Sequence, residues 1–143
     1  MALQVLRSPG LEPMAAHLAG IQGFTATLDG DRDEVLGIPV TSLERTLLDV
    51  ARFESPLLGL ATLDHALRDG LFDPADLLDR AQAFRGERWV ARARDLVRWA
   101  DPGVESPGES WARLRILQAG LPRPETQVRV DRDDGRSWWL DLG

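Results

Sequence analysis

The chain has 143 residues, a length that suits one domain or two small ones and allows a moderate buried core. It carries a formal net charge of −6 and contains no Cys. This composition excludes a disulfide framework and thiol chemistry, and it argues against a protein that coats nucleic acid non-specifically. The longest apolar runs are too short to span a membrane and no signal-peptide pattern opens the sequence, so a cytoplasmic location is expected.

Residues 1–36 predict an irregular N-terminal segment that is rich in helix and strand breakers. A short helix over residues 14–19 is expected to end at Gly20. Residues 24–28 alternate as in a strand, and residues 29–31 favour a turn.

Residues 37–101 predict a region of four helices, the first of which covers about residues 42–52. Thr41 with Glu44 three positions later is typical of a capping box at the start of that helix. Its apolar stripe is expected to consist of Leu43, Thr46, Leu47 and Val50.

The ends of the remaining three helices of this region are indicated by residues that typically start or stop a helix. One follows Ser55-Pro56 and runs over residues 56–69 to Gly70. The next, over residues 74–84, has Asp73 as its N-cap and Pro74 as its first position. The last is expected over residues 87–100.

Residues 102–143 combine a fifth helix with an antiparallel hairpin. Ser106 is expected to be the N-cap, followed by Pro107 and by Glu109 as the capping-box partner. The spacing of Trp111, Leu114 and Leu117 places these side chains toward a core. Two strands, over residues 126–130 and 137–142, flank an Asp134-Gly135 turn. The predicted fold class is therefore α+β.

Two acidic residues are candidate catalytic and metal-binding groups. Glu109 is either a helix-capping residue or a metal ligand at a helix start. Asp141 is either a solvated acid or a strand carboxylate beside Trp139. Two carboxylates are the minimum for holding Mg²⁺, and neither a third ligand nor a general base follows Asp141.

All 17 basic residues are Arg, which indicates a GC-rich gene or a preference for bidentate phosphate contacts. Arg85, Arg88 and Arg92 share one helix face, which is either salt-bridged and solvated or in contact with phosphates. Arg113, one turn after Glu109, is placed to pair with that residue or to contact a phosphate.

Other classes of site have little support. His17 and His65 lack the spacing of a zinc site, and no serine-hydrolase elbow or phosphate-binding glycine loop is present.

Two segments resemble known families. Residues 37–52, Gly-Ile-Pro-Val-Thr-Ser-Leu-Glu-Arg-Thr-Leu-Leu-Asp-Val-Ala-Arg, resemble a segment of AbiEi-like antitoxin proteins. Residues 101–109, residues 120–127 and the strand ending in Asp141 resemble the start of a domain similar to very-short-patch-repair endonucleases.

The second resemblance implies the incomplete start of a restriction-endonuclease-like core. It implies that Glu109 is the helix acid, Gln127 a recurrent polar residue of a strand, and Asp141 the first strand acid, with Mg²⁺ as cofactor. The DNA-binding residues that we expect on this hypothesis are Arg113, Gln127, Arg88 and Arg92. The family pattern continues beyond Asp141, whereas this sequence ends at Gly143, so catalysis by these residues alone is not expected.

Three functional hypotheses follow. The first is a truncated, inactive protein related to DNA endonucleases. The alternative is an AbiEi-like type IV antitoxin or a transcriptional regulator that lacks its DNA-reading domain, with DNA or a protein as partner. The third is a degraded gene product with a bare strand edge over residues 137–142, which would favour an edge-strand homodimer.

Overall fold

The computed structural model describes residues 3–7, 21–25 and 30–143. The helix expected over residues 14–19 lies outside these ranges. The chain forms two compact units, Met1–Ser42 and Leu43–Gly143. The expected boundary after residue 36 falls at the tip of a hairpin in the first unit, and the division at residues 101 and 102 stays a prediction.

The first unit contains two pairs of strands. Strand β1 (Leu3–Arg7) lies parallel to β2 (Ile21–Thr25), in a register that pairs Leu3 with Ile21. Strands β3 (Arg32–Val35) and β4 (Ile38–Thr41) form an antiparallel hairpin. The sequence indicated only part of β2 and did not predict this hairpin.

The second unit contains five helices followed by a second hairpin. The helices are α1 (Leu43–Phe53), α2 (Pro56–Arg68), α3 (Pro74–Arg80), α4 (Val90–Trp99) and α5 (Pro107–Gln118), with a 3-10 turn at Ala81–Phe84. The hairpin joins β5 (Thr126–Asp131) to β6 (Ser137–Leu142). The α+β fold class is thereby confirmed. None of the helices in the described ranges combines the length and the hydrophobicity that a membrane-spanning helix requires.

Side-chain caps are present at the starts of α2, α3 and α5. The side chain of Ser55 accepts a hydrogen bond from the Leu58 amide, and the Asp73 carboxylate accepts bonds from the amides of Ala75 and Asp76. Ser106 accepts from the Glu109 amide. Each cap precedes a Pro, which needs no amide partner in the first turn. These three predicted helix starts are confirmed.

Helices α1, α2 and α4 enclose most of the core. Its buried apolar side chains are Leu47, Leu48, Ala51, Leu60, Leu63, Ala66, Leu77, Ala81, Phe84, Ala93, Leu96, Val97, Ala100 and Leu114. Gly59 allows close packing of α1 on α2, because a Cβ there would lie 3.2 Å from the Cα of Ala51.

The predicted apolar stripe of α1 was partly wrong. Leu47 is buried, but Leu43 is 40% exposed and Thr46 is also exposed. Three charged residues of α1 are buried instead, namely Arg45, Asp49 and Arg52. Asp49 bonds to both arginines, so the three can be buried together. The prediction from hydrophobic spacing assumed that charged residues are exposed, and it therefore missed these three buried positions.

Two other expectations need correction. Helix α4 begins at Val90 instead of residue 87, because Trp89 adopts a left-handed conformation with φ of 65° that no helical residue can have. On α5, Leu114 is buried as predicted, whereas Trp111 is 54% exposed.

The β3–β4 turn offers a test of backbone strain. Leu36 and Gly37 form a two-residue loop in which both residues have positive φ, 52° and 78°. This is the type I′ geometry, which favours Asn or Gly at the first position. Since Leu36 is 96% exposed, replacing it removes no buried contact.

We expect Leu36→Asn to stabilise the hairpin by about 1 kcal/mol, because Asn tolerates the left-handed region better than Leu. Hydrogen exchange of the β3 and β4 amides would then slow by about fivefold where it occurs through hairpin opening. Leu36→Ala is the control, since it keeps the strain and should bring much less protection. Equal protection in both variants would contradict this account.

Candidate functional site

A cleft of about 330 Å³ lies between α2 and the start of α5. It is lined by Ala61, Thr62, Asp64, His65, Arg68, Val104, Glu105, Ser106, Pro107 and Ser110. A concave, mainly apolar surface with a few polar groups is the usual form of a binding site.

A buried ion pair joins the two helices that form the cleft. Arg113 of α5 is fully buried, and Asp64 of α2 is 1% exposed. The Nη1 of Arg113 donates to both carboxylate oxygens of Asp64 at 3.3 Å. Asp64 also accepts from the Ser110 hydroxyl at 2.7 Å. The carboxylate therefore has several donors in place of water, as a buried charge requires.

The same pair fixes the connection between α4 and α5. The Nη2 of Arg113 donates to the carbonyl oxygen of Trp99 at 2.6 Å and lies 3.4 Å from a carboxylate oxygen of Asp101. The amide of Asp101 donates to Asp64 at 2.8 Å. Arg113 Nε has no hydrogen-bond partner in the structure. Helix α2, the connection between α4 and α5, and α5 itself thus meet at one guanidinium.

Asp101 extends this network toward the C-terminal hairpin. Its Oδ1 accepts from the Gly103 amide at 2.9 Å and from the Thr126 hydroxyl at 3.1 Å. Its Oδ2 accepts from Arg123 at 3.1 Å, and the same Arg123 nitrogen donates to the carbonyl of Ala100. Strand β5 and the connector before it are therefore attached to the connection between α4 and α5.

The two carboxyl groups have opposite pKa shifts. Burial raises the pKa of Asp64, and the bonds from Ser110, the Asp101 amide and Arg113 offset only part of this effect. Burial acts on Asp101 in the same sense. There, the bonds from the Gly103 amide, Arg123 and Thr126, with the charge of Arg113, outweigh it and lower the pKa.

The rim of the cleft carries a cation that is held in place. Arg68 Nη1 donates to the carbonyl of Val104 at 3.0 Å, and its Nη2 lies 2.7 Å from Nδ1 of His65. His65 Nε2 lies 3.6 Å from a carboxylate oxygen of Asp69. The cleft therefore offers an apolar surface beside one oriented guanidinium.

Glu109 lies at the start of α5, where it acts as a capping residue. Its Oε2 accepts from the Glu105 amide at 3.0 Å, and its Oε1 accepts from the Ser106 hydroxyl at 2.6 Å. The helix-capping interpretation is confirmed. A metal ion at Glu109 would compete with these bonds, so the metal and catalytic roles stay predictions without support from its contacts.

The other predicted nuclease residues lie on the C-terminal hairpin. Asp141 is an exposed residue of β6, and Gln127 is a partly buried residue of β5 with a φ of 54°. Across the described ranges, no group of three or more His, Asp or Glu residues is arranged to hold a metal ion. The predicted Mg²⁺ site consists of two residues, Glu109 and Asp141, so this observation does not test it and it stays a prediction.

Three arginines expected to bind DNA have other contacts in the fold. Arg113 is fully buried, so it presents no surface to a phosphate. Arg92 donates to the carbonyls of Ala51, Arg52 and Glu54, and thereby satisfies the C-terminal end of α1. The guanidinium of Arg88 is exposed and lies 4.9 Å from the ring of Trp89.

The sequence did not single out Asp64, Asp101 or Ser110. One signal was present for Asp64, since it lies four positions after Leu60 and three before Leu67, on the apolar side of α2. An acidic residue on the apolar side of a helix indicates that a hydrogen-bond donor or a cation is buried beside it. Nothing in the local sequence identifies Arg113 as that partner.

Comparison with known proteins gives one family. Residues 24–99 match the family model of the AbiEi antitoxin C-terminal domain. The chain is also 36% identical over 108 residues to the uncharacterized proteins MT2308 and Rv2248, from two strains of Mycobacterium tuberculosis. The aligned part covers 76% of this chain and 40% of each relative, so the chain spans less than half of their length. No solved structure matches.

Removing one member of the buried pair is expected to lower the stability of the fold substantially. Arg113→Met should lower the free energy of unfolding by roughly 3–5 kcal/mol, because it leaves the Asp64 carboxylate buried without its cation. Urea unfolding followed by tryptophan fluorescence measures this. Arg115→Met, at an exposed position of the same helix, is the matched control and should change little. If both variants lost the same stability, the pair would not have the importance given to it here.

Asp101 predicts a dependence of stability on pH. Its folded-state pKa is lowered below the ordinary value of 3.8, so its contribution is present above that value and is lost as the pH falls through the folded pKa. Asp101→Asn should therefore lose less of its remaining stability than the wild type between about pH 5 and pH 3. Asp95→Asn, which removes an exposed ion pair with Arg98, is the control. A decline in Asp101→Asn as steep as in the wild type would refute this.

Proposed function

Because the chain belongs to the family of the AbiEi antitoxin C-terminal domain, we propose that it is an antitoxin module that counters a toxin through contact with a protein. The match over residues 24–99 carries this proposal. That segment includes α1 to α4, and with them the α2 wall of the cleft.

The cleft supports binding to a protein. Its walls are mainly apolar, and Ala61, Thr62 and Pro107 leave room for one apolar side chain of a partner. Arg68 lies on the rim, where a carboxylate or carbonyl oxygen of the partner can accept its hydrogen bond. An apolar anchor in a pocket next to an arginine is a common centre of binding energy in protein interfaces.

The charges also favour a protein over DNA as the partner. The net charge is −6, whereas binding to DNA requires neutralisation of phosphates. Two of the four residues proposed for DNA contact, Arg92 and Arg113, hold the helices together instead. The transcriptional-regulator form of the hypothesis therefore has less support from the described residues than a protein partner has.

The endonuclease hypothesis has no comparable support. The family match ends at residue 99, before the segment that resembles endonucleases. The capping bonds of Glu109 account for that residue without a metal.

A growth assay tests the proposed function. The reading frames that flank this gene are expressed one at a time in bacteria, together with the chain or without it. We expect one of them to arrest growth and the chain to restore it. If the chain restores growth against none of the toxic neighbours, the antitoxin proposal fails.

A pair of variants then tests the cleft. Ala61→Trp should fill it and reduce rescue by at least tenfold in colony counts, because the partner's side chain loses its pocket. Ala91→Trp makes the same chemical change at an exposed position of α4 and should rescue as the wild type does. Full rescue by a folded Ala61→Trp protein would exclude the cleft as the contact surface, with folding checked by circular dichroism.

A further inference from the structure

The loop that precedes α4, residues 85–89, presents a tryptophan in a strained conformation. Trp89 has a φ of 65° and a ψ of 7°, a left-handed conformation that is unfavourable for a bulky residue. Its side chain is nevertheless 48% exposed, so burial of the ring offsets only part of the strain. Strained residues persist where their surroundings hold them, and they are concentrated at binding and catalytic sites. The exposed ring of Trp89 is therefore a candidate contact point.

Contacts with the end of α1 hold this loop in place. The buried Arg52 donates from Nε to the carbonyl oxygen of Arg88 at 3.2 Å and from Nη2 to the Glu87 carboxylate at 2.5 Å. On the other side of Trp89, Arg92 donates to two carbonyl oxygens at the end of α1 and to one just after it. The loop is thus attached to α1 both before and after the ring, and little ordering is needed when a partner binds.

The two guanidiniums at the Trp89 ring differ in their free donors. Those of Arg88 and Arg92 lie 4.9 Å and 5.3 Å from the ring centre. Arg92 bonds to the carbonyls of α1, whereas the side chains of Arg88 and of the exposed Arg85 make no hydrogen bond or ion pair within the described ranges. Stacking on an aromatic ring orients a guanidinium and leaves the N–H groups in its plane free to bind the two oxygens of a carboxylate.

We propose that Trp89, Arg88 and Arg85 form a contact surface for an acidic segment of a partner protein. Carboxylates of that segment bond to Arg88 and Arg85, and its apolar atoms pack on the exposed part of the Trp89 ring. None of the three residues lines the cleft, so this surface is a second contact area. The inference rests on the proposed function in so far as the partner is the toxin that the chain counters.

The charges of the loop favour carboxylates as the ligand. Residues 85–92 contain three arginines and one glutamate, and that glutamate, Glu87, is paired with Arg52. The loop is therefore positive on a chain whose net charge is −6, and a partner with a few carboxylates complements it. A nucleic acid would bring one phosphate charge with every nucleotide, which two free guanidiniums on an acidic protein cannot neutralise. Trp and Arg are also enriched among the residues that supply most of the binding energy in protein interfaces.

Charge reversal in the growth assay tests this surface with the toxin. Arg88→Glu should reduce rescue by about tenfold or more in colony counts, because a carboxylate would then face the carboxylates of the partner. Arg115→Glu is the matched control and should rescue as the wild type does, since Arg115 is exposed on α5 and, in the part of the chain that is described, its side chain has no ion pair. If the wild type rescues and a folded Arg88→Glu protein rescues equally well, the surface is excluded while the antitoxin proposal stands.

A model peptide tests the same surface without the toxin. The indole Nε–H resonance of Trp89, assigned with Trp89→Phe, is followed by ¹⁵N NMR while hexaglutamate is added at low ionic strength. This resonance should shift with a dissociation constant of about 1 mM. Arg88→Glu should weaken the binding by about fivefold or more, and Arg115→Glu should weaken it much less.

A thymidine hexanucleotide is the comparison ligand. If the Trp89 resonance responds to this oligonucleotide at lower concentrations than to hexaglutamate, the surface binds nucleic acid and the proposal is overturned. A Trp89 resonance that responds to neither ligand, or equal binding of hexaglutamate by the wild type and Arg88→Glu, also overturns it. If no neighbouring gene is toxic, the proposed function fails and this titration alone decides the inference.

Discussion

The buried pair of Asp64 and Arg113 is the interaction on which the second unit depends. It lies where α2, α5 and the connection from α4 meet, and each of these segments bonds directly to one of the two charged groups. Removing two charges from water costs several kcal/mol, which the pair recovers only through its mutual attraction and its other hydrogen bonds. The same pair fixes the spacing of α2 and α5, and thereby the shape of the cleft between them.

A second group of arginines has a similar structural role at the junction of α1 and α4. Asp49 lies between Arg45 and Arg52, and Arg52 reaches Glu87 at 2.5 Å. Both guanidiniums lie near the ring of Phe84, at 4.8 and 5.1 Å from its centre. A planar group with several donors can bond to carboxylates and carbonyls while it packs on an aromatic ring, which Lys cannot do as well. The buried arginines Arg45, Arg52 and Arg113 therefore act as internal connectors in the second unit.

The sequence predicted the elements with strong local signals. Ser55-Pro56, Asp73-Pro74 and Ser106-Pro107 each begin a helix in the structure, because capping is decided within a few residues. Features that depend on contacts between distant parts of the chain were harder to predict. The buried charges of α1 were not predicted, because their burial depends on partners that meet only after folding. The predicted start of α4 at residue 87 was also wrong, because no local sequence rule predicts the left-handed conformation of Trp89.

Hydrogen exchange at the Asp101 amide tests the central claim most directly, because this amide donates to Asp64 from outside any helix. If the buried pair makes α2, α5 and the connection between α4 and α5 open cooperatively, the Asp101 amide should have the same opening free energy as the Leu63 amide in the middle of α2. The two amides should also show the same dependence of exchange on denaturant. Rapid, denaturant-independent exchange of Asp101 while Leu63 stays protected would show that the connection opens by itself, and would contradict the account.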